Sequence, residues 1–137
     1  MEFPLLDKSN YLKGLLIIAR KDNQLAESEK NILKNIAERL GFASDFYEET
    51  IKNLLVNEHI NDEPINFSNE KIAASFISDG LKLAFSDKKI HGAEIDWLKA
   101  TAVKNSLEEG WFNKELEKTR EESNQVLQPD LTLYSII

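Results

Sequence analysis

The sequence predicts an all-α protein, and three observations support this fold class. Apolar residues recur three and four positions apart along most of the chain, a spacing that places them on one face of a helix. The chain also repeats itself, since residues 11–55 align with residues 76–120 without a gap, at an offset of 65 residues. The chain has 137 residues, a length at which one domain can bury a core of its own. We therefore expect a compact helical bundle of two three-helix repeats.

The internal repeat sets the expected domain organisation. Identical residues occupy matched positions, namely Leu16/Leu81, Ala19/Ala84, Asp22/Asp87, Glu29/Glu94, Leu33/Leu98, Lys34/Lys99 and Ala37/Ala102. One three-helix unit alone would expose too much apolar surface, so the two units should pack on each other around one core. We expect a single domain over residues 1–137, with repeat one at about 9–55, a linker at 56–67, repeat two at about 68–122 and an apolar tail at 123–137.

The helices of repeat one are predicted from apolar spacing and from signals at their ends. The first helix is expected to begin near residues 7–10 and to be among the most buried. The second carries an apolar face as far as Gly41, a residue type that favours a helix end. The third begins after Ser44, a good N-cap. It is expected to turn Phe46 and Tyr47 inward.

Repeat two is expected to follow the same plan after a linker rich in turn-forming residues. Its first helix should run through about Ser86, and two more should lie near residues 93–105 and 108–122. Gly80 takes the position that Leu15 occupies in repeat one. A glycine costs about 1 kcal/mol of helix propensity, so its presence indicates a close helix contact at this point.

Composition limits the classes of function. The net charge of -7 argues against nucleic-acid binding, which depends on basic side chains that neutralise phosphates, and against anionic membrane surfaces. The chain has no cysteine, so disulfides and thiolate chemistry are excluded. No apolar run approaches the length of a membrane span, and the first residues lack the basic and apolar regions of a signal peptide. We expect a cytoplasmic protein.

Both repeats carry the same acidic pattern at the turn between their first two helices. Asp22 and Glu29 in repeat one match Asp87 and Glu94 in repeat two, and an aliphatic residue lies three positions after each aspartate. If the residue three before each glutamate is an N-cap, the glutamate falls at the third position of the next helix. There its carboxylate can accept a backbone N–H that the helix leaves unpaired. Helix capping alone then explains the pattern.

The same four carboxylates are also candidate ligands for a divalent cation, since hard ions prefer oxygen ligands. The pattern matches the fifth, eighth and twelfth places of a calcium loop. The first and third places, however, hold Ile18 and Arg20 in repeat one and Leu83 and Phe85 in repeat two. A calcium loop needs oxygen ligands at both places, so helix capping is the favoured interpretation.

A resemblance to the tellurite-resistance TerB-like domain family rests on three features found in both repeats. These are the first helix, the Asp-x-x-aliphatic-x-x-x-Glu turn, and the second amphipathic helix that ends near Gly41 in repeat one. The chain is also similar to the TerB-like N-terminal domain of a DnaJ-type co-chaperone. The resemblance covers about residues 9–122 and implies a compact, bacterial, cytoplasmic all-α domain linked to metal or chemical stress, without an established catalytic activity. Family turns commonly read Asp-Gly-x-Ile-Ser-x-x-Glu, and only the four acidic residues carry over by position.

The tail is the one apolar end of an otherwise charged chain. Pro129 disfavours a helix beyond it, and the final residues favour extended structure. Two placements remain open: the tail lies in a groove of its own domain, or it docks to a partner protein or to a second copy in a homodimer. The candidate residues of an interaction surface are Phe85, His91, Leu131, Leu133 and Tyr134.

The leading functional hypothesis is a non-enzymatic cytoplasmic module that binds another protein in a stress response. The alternative is a divalent-cation sensor that uses the two acidic turns, and no other cofactor is expected. A zinc site that includes His59 and His91 and a hydrolase with a carboxylate pair are weaker hypotheses.

Overall fold

The computed structural model describes residues 3–20, 27–56, 63–86, 92–123 and 132–133. Within these ranges it contains six α-helices and no strand, which confirms the all-α fold class. The helices are α1 (Leu5–Arg20), α2 (Glu27–Arg39), α3 (Ser44–Val56), α4 (Glu70–Phe85), α5 (Gly92–Lys104) and α6 (Glu109–Ser123).

The helices of the second half start 65 residues after those of the first, at Glu70 after Leu5, Gly92 after Glu27 and Glu109 after Ser44. Helices α1 and α4 have 16 residues each, and α2 and α5 have 13 each. The first helix begins earlier than expected, at Leu5 instead of residues 7–10. Its first turn is closed by a hydrogen bond from the Lys8 N–H to the carbonyl of Pro4, the residue before the helix, at 3.0 Å.

Two helices end in the same hydrogen-bonded motif. After α2, the N–H of Gly41 donates to the carbonyl of Glu38 and that of Phe42 to Ala37, at 3.0 and 2.9 Å. Gly41 adopts a φ of +89°, the left-handed conformation on which this helix end depends. The end predicted near Gly41 is therefore confirmed. After α5, Ser106 occupies the corresponding place with a φ of 62°.

Helices α1 and α4 lie at the centre of the molecule. Helix α1 packs against α2, α3 and α4, and α4 packs against α1, α5 and α6. Glycines allow the close approach of the central pair. A Cβ on Gly14 would collide with the ring of Phe76, and one on Gly80 would lie 2.6 Å from Leu98 Cδ2 and 3.0 Å from Ile18 Cδ1. The close helix contact predicted at Gly80 is confirmed.

Aromatic side chains fill the core around α1 and α4. The rings of Tyr11 and Phe76 meet edge to face with centroids 5.4 Å apart, and Phe67 from the linker contacts both. Trp97 of α5 packs on Phe76 at 6.0 Å. Such pairs add about 0.5–1.5 kcal/mol each to what burial of their area contributes.

One predicted core residue of α3 lies at the surface. Phe46 is 52% exposed and stacks on Phe42, with ring centroids 5.3 Å apart. The next residue, Tyr47, is buried as expected, and its hydroxyl donates to the Lys30 carbonyl at 3.0 Å. The inward orientation predicted for Phe46 is wrong, because α3 turns its Tyr47 side toward α2 and the preceding position then faces outward.

None of the six helices combines the length and the apolar character needed to cross a membrane.

Candidate functional site

The acidic turns were the first candidate site, and the structure describes the glutamates but not the aspartates. Because α2 begins at Glu27 and α5 at Gly92, Glu29 and Glu94 are each the third residue of a helix, as the capping interpretation predicts. Both side chains are buried, at 1% exposure. Asp22 and Asp87 lie outside the described residues, as do the expected N-caps. Among the described residues, no group of three or more histidine, aspartate or glutamate side chains is arranged to hold a metal ion.

The candidate interaction surface is only partly described, and the described part is buried. Phe85 is 4% exposed and Leu133 is 0% exposed. Neither side chain is accessible to a partner in this structure, and their role in an interaction surface stays a prediction. Phe85 ends α4, the helix enclosed by α1, α5 and α6, and Leu133 is buried where it and Thr132 contact α4. His91, Leu131 and Tyr134, together with His59, lie outside the described residues.

A buried carboxylate on α4 binds the backbone of Thr132 and Leu133, two described residues of the tail. Asp79 is 0% exposed. Its Oδ1 accepts the backbone N–H of Thr132 at 2.7 Å, and its Oδ2 accepts that of Leu133 at 3.0 Å. Of the two placements left open by the sequence, the groove of the chain's own domain is the one seen for Thr132 and Leu133. These two residues form a turn and a helical position, not the extended structure expected.

The same carboxylate is linked to α1 through a tyrosine. The Tyr11 hydroxyl donates to Asp79 Oδ2 at 2.5 Å and lies 2.9 Å from the Ser75 hydroxyl oxygen. Lys82 Nζ lies 3.9 Å from Asp79 Oδ1 and donates to Thr132 Oγ1 at 3.2 Å. We call Tyr11, Ser75, Asp79 and Lys82 the Asp79 cluster. It joins the two central helices to the tail.

Burial sets the ionisation of the cluster. It raises the pKa of Asp79, while the hydrogen bonds from Tyr11, Thr132 and Leu133 and the charge of Lys82 oppose that rise. Burial, and then the charge of Asp79, raise the pKa of Tyr11 well above its usual 10. Tyr11 therefore keeps its proton and remains a donor to Asp79. The arrangement suits the binding of N–H and O–H donors rather than proton transfer to a solvent-borne substrate.

Two further polar anchors hold the irregular chain that precedes α4. Asn105, buried after α5, donates from Nδ2 to the Ile65 carbonyl at 2.7 Å and accepts the Phe67 N–H at 2.8 Å. The carboxylate of Asp7 accepts the Ser68 N–H at 3.0 Å and the Ser68 hydroxyl. Both anchors satisfy backbone groups of irregular chain, which would otherwise cost about 1–3 kcal/mol each when buried.

The sequence did not point to Asp79 or Asn105, or to a polar role for the Tyr11 hydroxyl. One signal for Asp79 was present, since it lies three residues after Phe76 and four before Leu83, on the apolar face of the helix. A charge at such a position is seldom fully buried unless it is paired. The partner, 53 residues away at Thr132, has no local signature.

Comparison with protein families, with curated proteins and with solved structures gave no match to this chain.

Proposed function

We propose that this chain is a non-enzymatic, cytoplasmic, TerB-like helical module whose role is to bind another protein. The observation that carries this proposal is the aromatic pair of Phe42 and Phe46, stacked at the start of α3 with Phe46 about half exposed. The residue 65 positions after Phe46, Trp111, is packed against the core, as are Phe42 and its counterpart Leu107, so Phe46 alone is left exposed. An exposed aromatic ring is costly in water and is enriched at protein interfaces.

The use of the buried polar side chains also supports a binding module. Asp79, Asp7 and Asn105 hold backbone groups of the tail and the linker. Glu29 and Glu94 sit within the first turns of α2 and α5. These buried groups thus have roles in the fold.

We further infer that the module arose from two three-helix repeats that pack as a pair. Three sets of observations support this inference. The first two are the 65-residue spacing of the helix starts and the matched helix ends at Gly41 and Ser106. The central contacts are also reciprocal. Gly14 contacts Phe76. In the reverse direction Tyr11, which matches Phe76, contacts Asp79, which matches Gly14. Reciprocal contacts are the mark of a two-fold arrangement.

The test is site-directed photocrosslinking in cells of the source organism. A photoreactive amino acid replaces Phe46 in one variant and Val103, an exposed apolar residue of α5, in the matched control. We expect a discrete crosslinked partner at position 46 that is absent at position 103 and is lost when Phe42 is also changed to serine. Identical backgrounds at both positions would contradict the proposal.

Calorimetry of the wild type with calcium, magnesium, manganese and zinc completes the test. Binding heat that disappears in an Asp22→Asn/Asp87→Asn variant would favour the divalent-cation sensor in its place. The interaction module predicts no binding heat and an unchanged melting temperature with each metal.

A further inference from the structure

The contact between the tail and the Asp79 cluster has the chemistry of peptide recognition. The carboxylate accepts two successive backbone N–H groups, which any residue except proline can offer. Two free, successive N–H groups occur where a helical turn begins, and Leu133 is in a helical conformation. Asp79 of α4 thus accepts the N–H groups of Thr132 and Leu133 in the way that an N-cap side chain accepts those at the start of its own helix.

Side chains add selectivity to this backbone contact. Leu133 is fully buried, and burial of a leucine side chain contributes about 1.5–3 kcal/mol. Lys82, a partly exposed residue of α4, donates to the hydroxyl of Thr132 at 3.2 Å. The contact therefore selects a hydroxyl-bearing residue followed by a leucine, at the start of a helical turn.

A buried carboxylate carries a desolvation cost that a permanently docked segment does not require. Apolar residues of similar volume often stabilise a fold as well as a buried charge does, or better, and the matched position in the first half is a glycine, Gly14. A buried carboxylate instead fixes which two successive residues of a segment dock on it. It also excludes a segment without two N–H donors, because such a segment leaves the charge of the carboxylate unsatisfied.

We propose that the Asp79 cluster, with the apolar space that receives Leu133, is a binding site for a short peptide segment of a partner protein. Residues 132–133 are its resident ligand. The partner segment carries a serine or threonine followed by a leucine, begins a helical turn, and displaces the tail. Eight residues separate the end of α6 at Ser123 from Thr132, so the resident segment competes with the partner segment as part of the same chain. This site is distinct from the Phe42 and Phe46 pair, so an experiment that contradicts one proposal does not contradict the other.

The experiment measures binding of a fluorescent peptide with the sequence of residues 124–137 to full-length chains. Leu133→Asp removes the resident ligand from the chain itself, and fluorescence anisotropy then reports binding in trans. We expect this variant to bind the peptide at least ten-fold more tightly than the wild type, whose own tail competes. A peptide that itself carries Leu133→Asp is the matched control and should not bind.

A chain with both Leu133→Asp and Asp79→Asn tests the carboxylate. It should lose binding by ten-fold or more, because an amide in place of Asp79 offers only one acceptor and faces the second N–H with a donor. Circular dichroism and a cooperative melt establish that each variant is folded. If Leu133→Asp unfolds the chain, the milder Leu133→Ala is used with the same expectations.

Failure of a folded Leu133→Asp or Leu133→Ala chain to bind the peptide would overturn the proposal. So would equal binding by chains with and without Asp79. Sedimentation of the wild type distinguishes the source of the segment, because a dimer that dissociates on addition of the peptide would show that a second copy supplies it.

Discussion

Asp79 illustrates at the scale of one residue how a buried charge organises irregular chain. Its two oxygens accept one hydroxyl and two backbone N–H groups from segments more than 50 residues away. Each such bond to a charged group contributes about 1.5–3 kcal/mol, and together these bonds offset part of the desolvation of the carboxylate, whose pKa is still raised by burial. These bonds satisfy both the buried carboxylate and the backbone N–H groups of Thr132 and Leu133.

The raised pKa of Asp79 makes stability depend on pH in a defined direction. The group titrates near 3.8 when unfolded, and burial raises the pKa in the folded protein, so the folded state holds the proton more tightly. The stability linked to that proton is present below about pH 3.8 and is lost as pH rises through the folded-state value. In Asp79→Asn this contribution is absent. Urea unfolding of both proteins from about pH 4 to about pH 7 should therefore show the wild type losing stability relative to the variant as pH rises.

The matched control for this pH series is Asp96→Asn, which changes an exposed aspartate of α5. We expect the free energy of unfolding of this control to run parallel to that of the wild type. Parallel curves for Asp79→Asn as well would show that Asp79 does not titrate in this window.

Ser106 is a second residue whose conformation leads to a prediction. It adopts a φ of 62° at the end of α5, a left-handed conformation that costs a residue with a Cβ about 1–2 kcal/mol. The matched Gly41 avoids that cost. We expect Ser106→Gly to raise the free energy of unfolding by up to about 1 kcal/mol and Gly41→Ala to lower it by about as much. Loss of stability in Ser106→Gly would contradict this account of the helix end.

At the scale of helices, the pair α1 and α4 depends on a close approach that glycine permits. A Cβ at Gly14 meets the rigid, buried ring of Phe76, whereas one at Gly80 meets the flexible end of Leu98. Alanine gains about 1 kcal/mol of helix propensity at either position, so the comparison of the two variants isolates packing. We expect Gly14→Ala to destabilise by about 1–3 kcal/mol through overpacking, and Gly80→Ala by less, in thermal melts.

Gly110 in α6 provides the control for this pair, since no other atom lies within 4 Å of its added Cβ. Gly110→Ala should be neutral or stabilising by up to about 1 kcal/mol. If Gly14→Ala behaved like Gly110→Ala, the central helices would not be in the close contact described.

At the scale of the whole molecule, the sequence predicts the helices and several of their ends. The apolar spacing and the repeat predict six helices, the end near Gly41 and the third-position placement of Glu29 and Glu94. These features depend on neighbours along the chain, which a sequence displays directly.

The features that the sequence does not predict depend on pairings across the fold. Phe46 fits an apolar helical stripe as well as Tyr47 does, and only the packing of α3 decides which of them faces inward. The partners of Asp79 and Asn105 lie in the tail and the linker, segments without periodicity. Buried polar contacts of this kind are set by tertiary packing and leave no spacing pattern behind.

The central claim is that Asp79 holds Thr132 and Leu133 on the central helices, and amide hydrogen exchange tests it most directly. The amides of Thr132 and Leu133 should be protected in the wild type and exchange at least ten-fold faster in Asp79→Asn. The amide of Phe67, held by Asn105 in the linker, serves as the internal reference and should keep its protection. Unprotected exchange of Thr132 and Leu133 in the wild type, or equal protection in the wild type and Asp79→Asn, would contradict the claim.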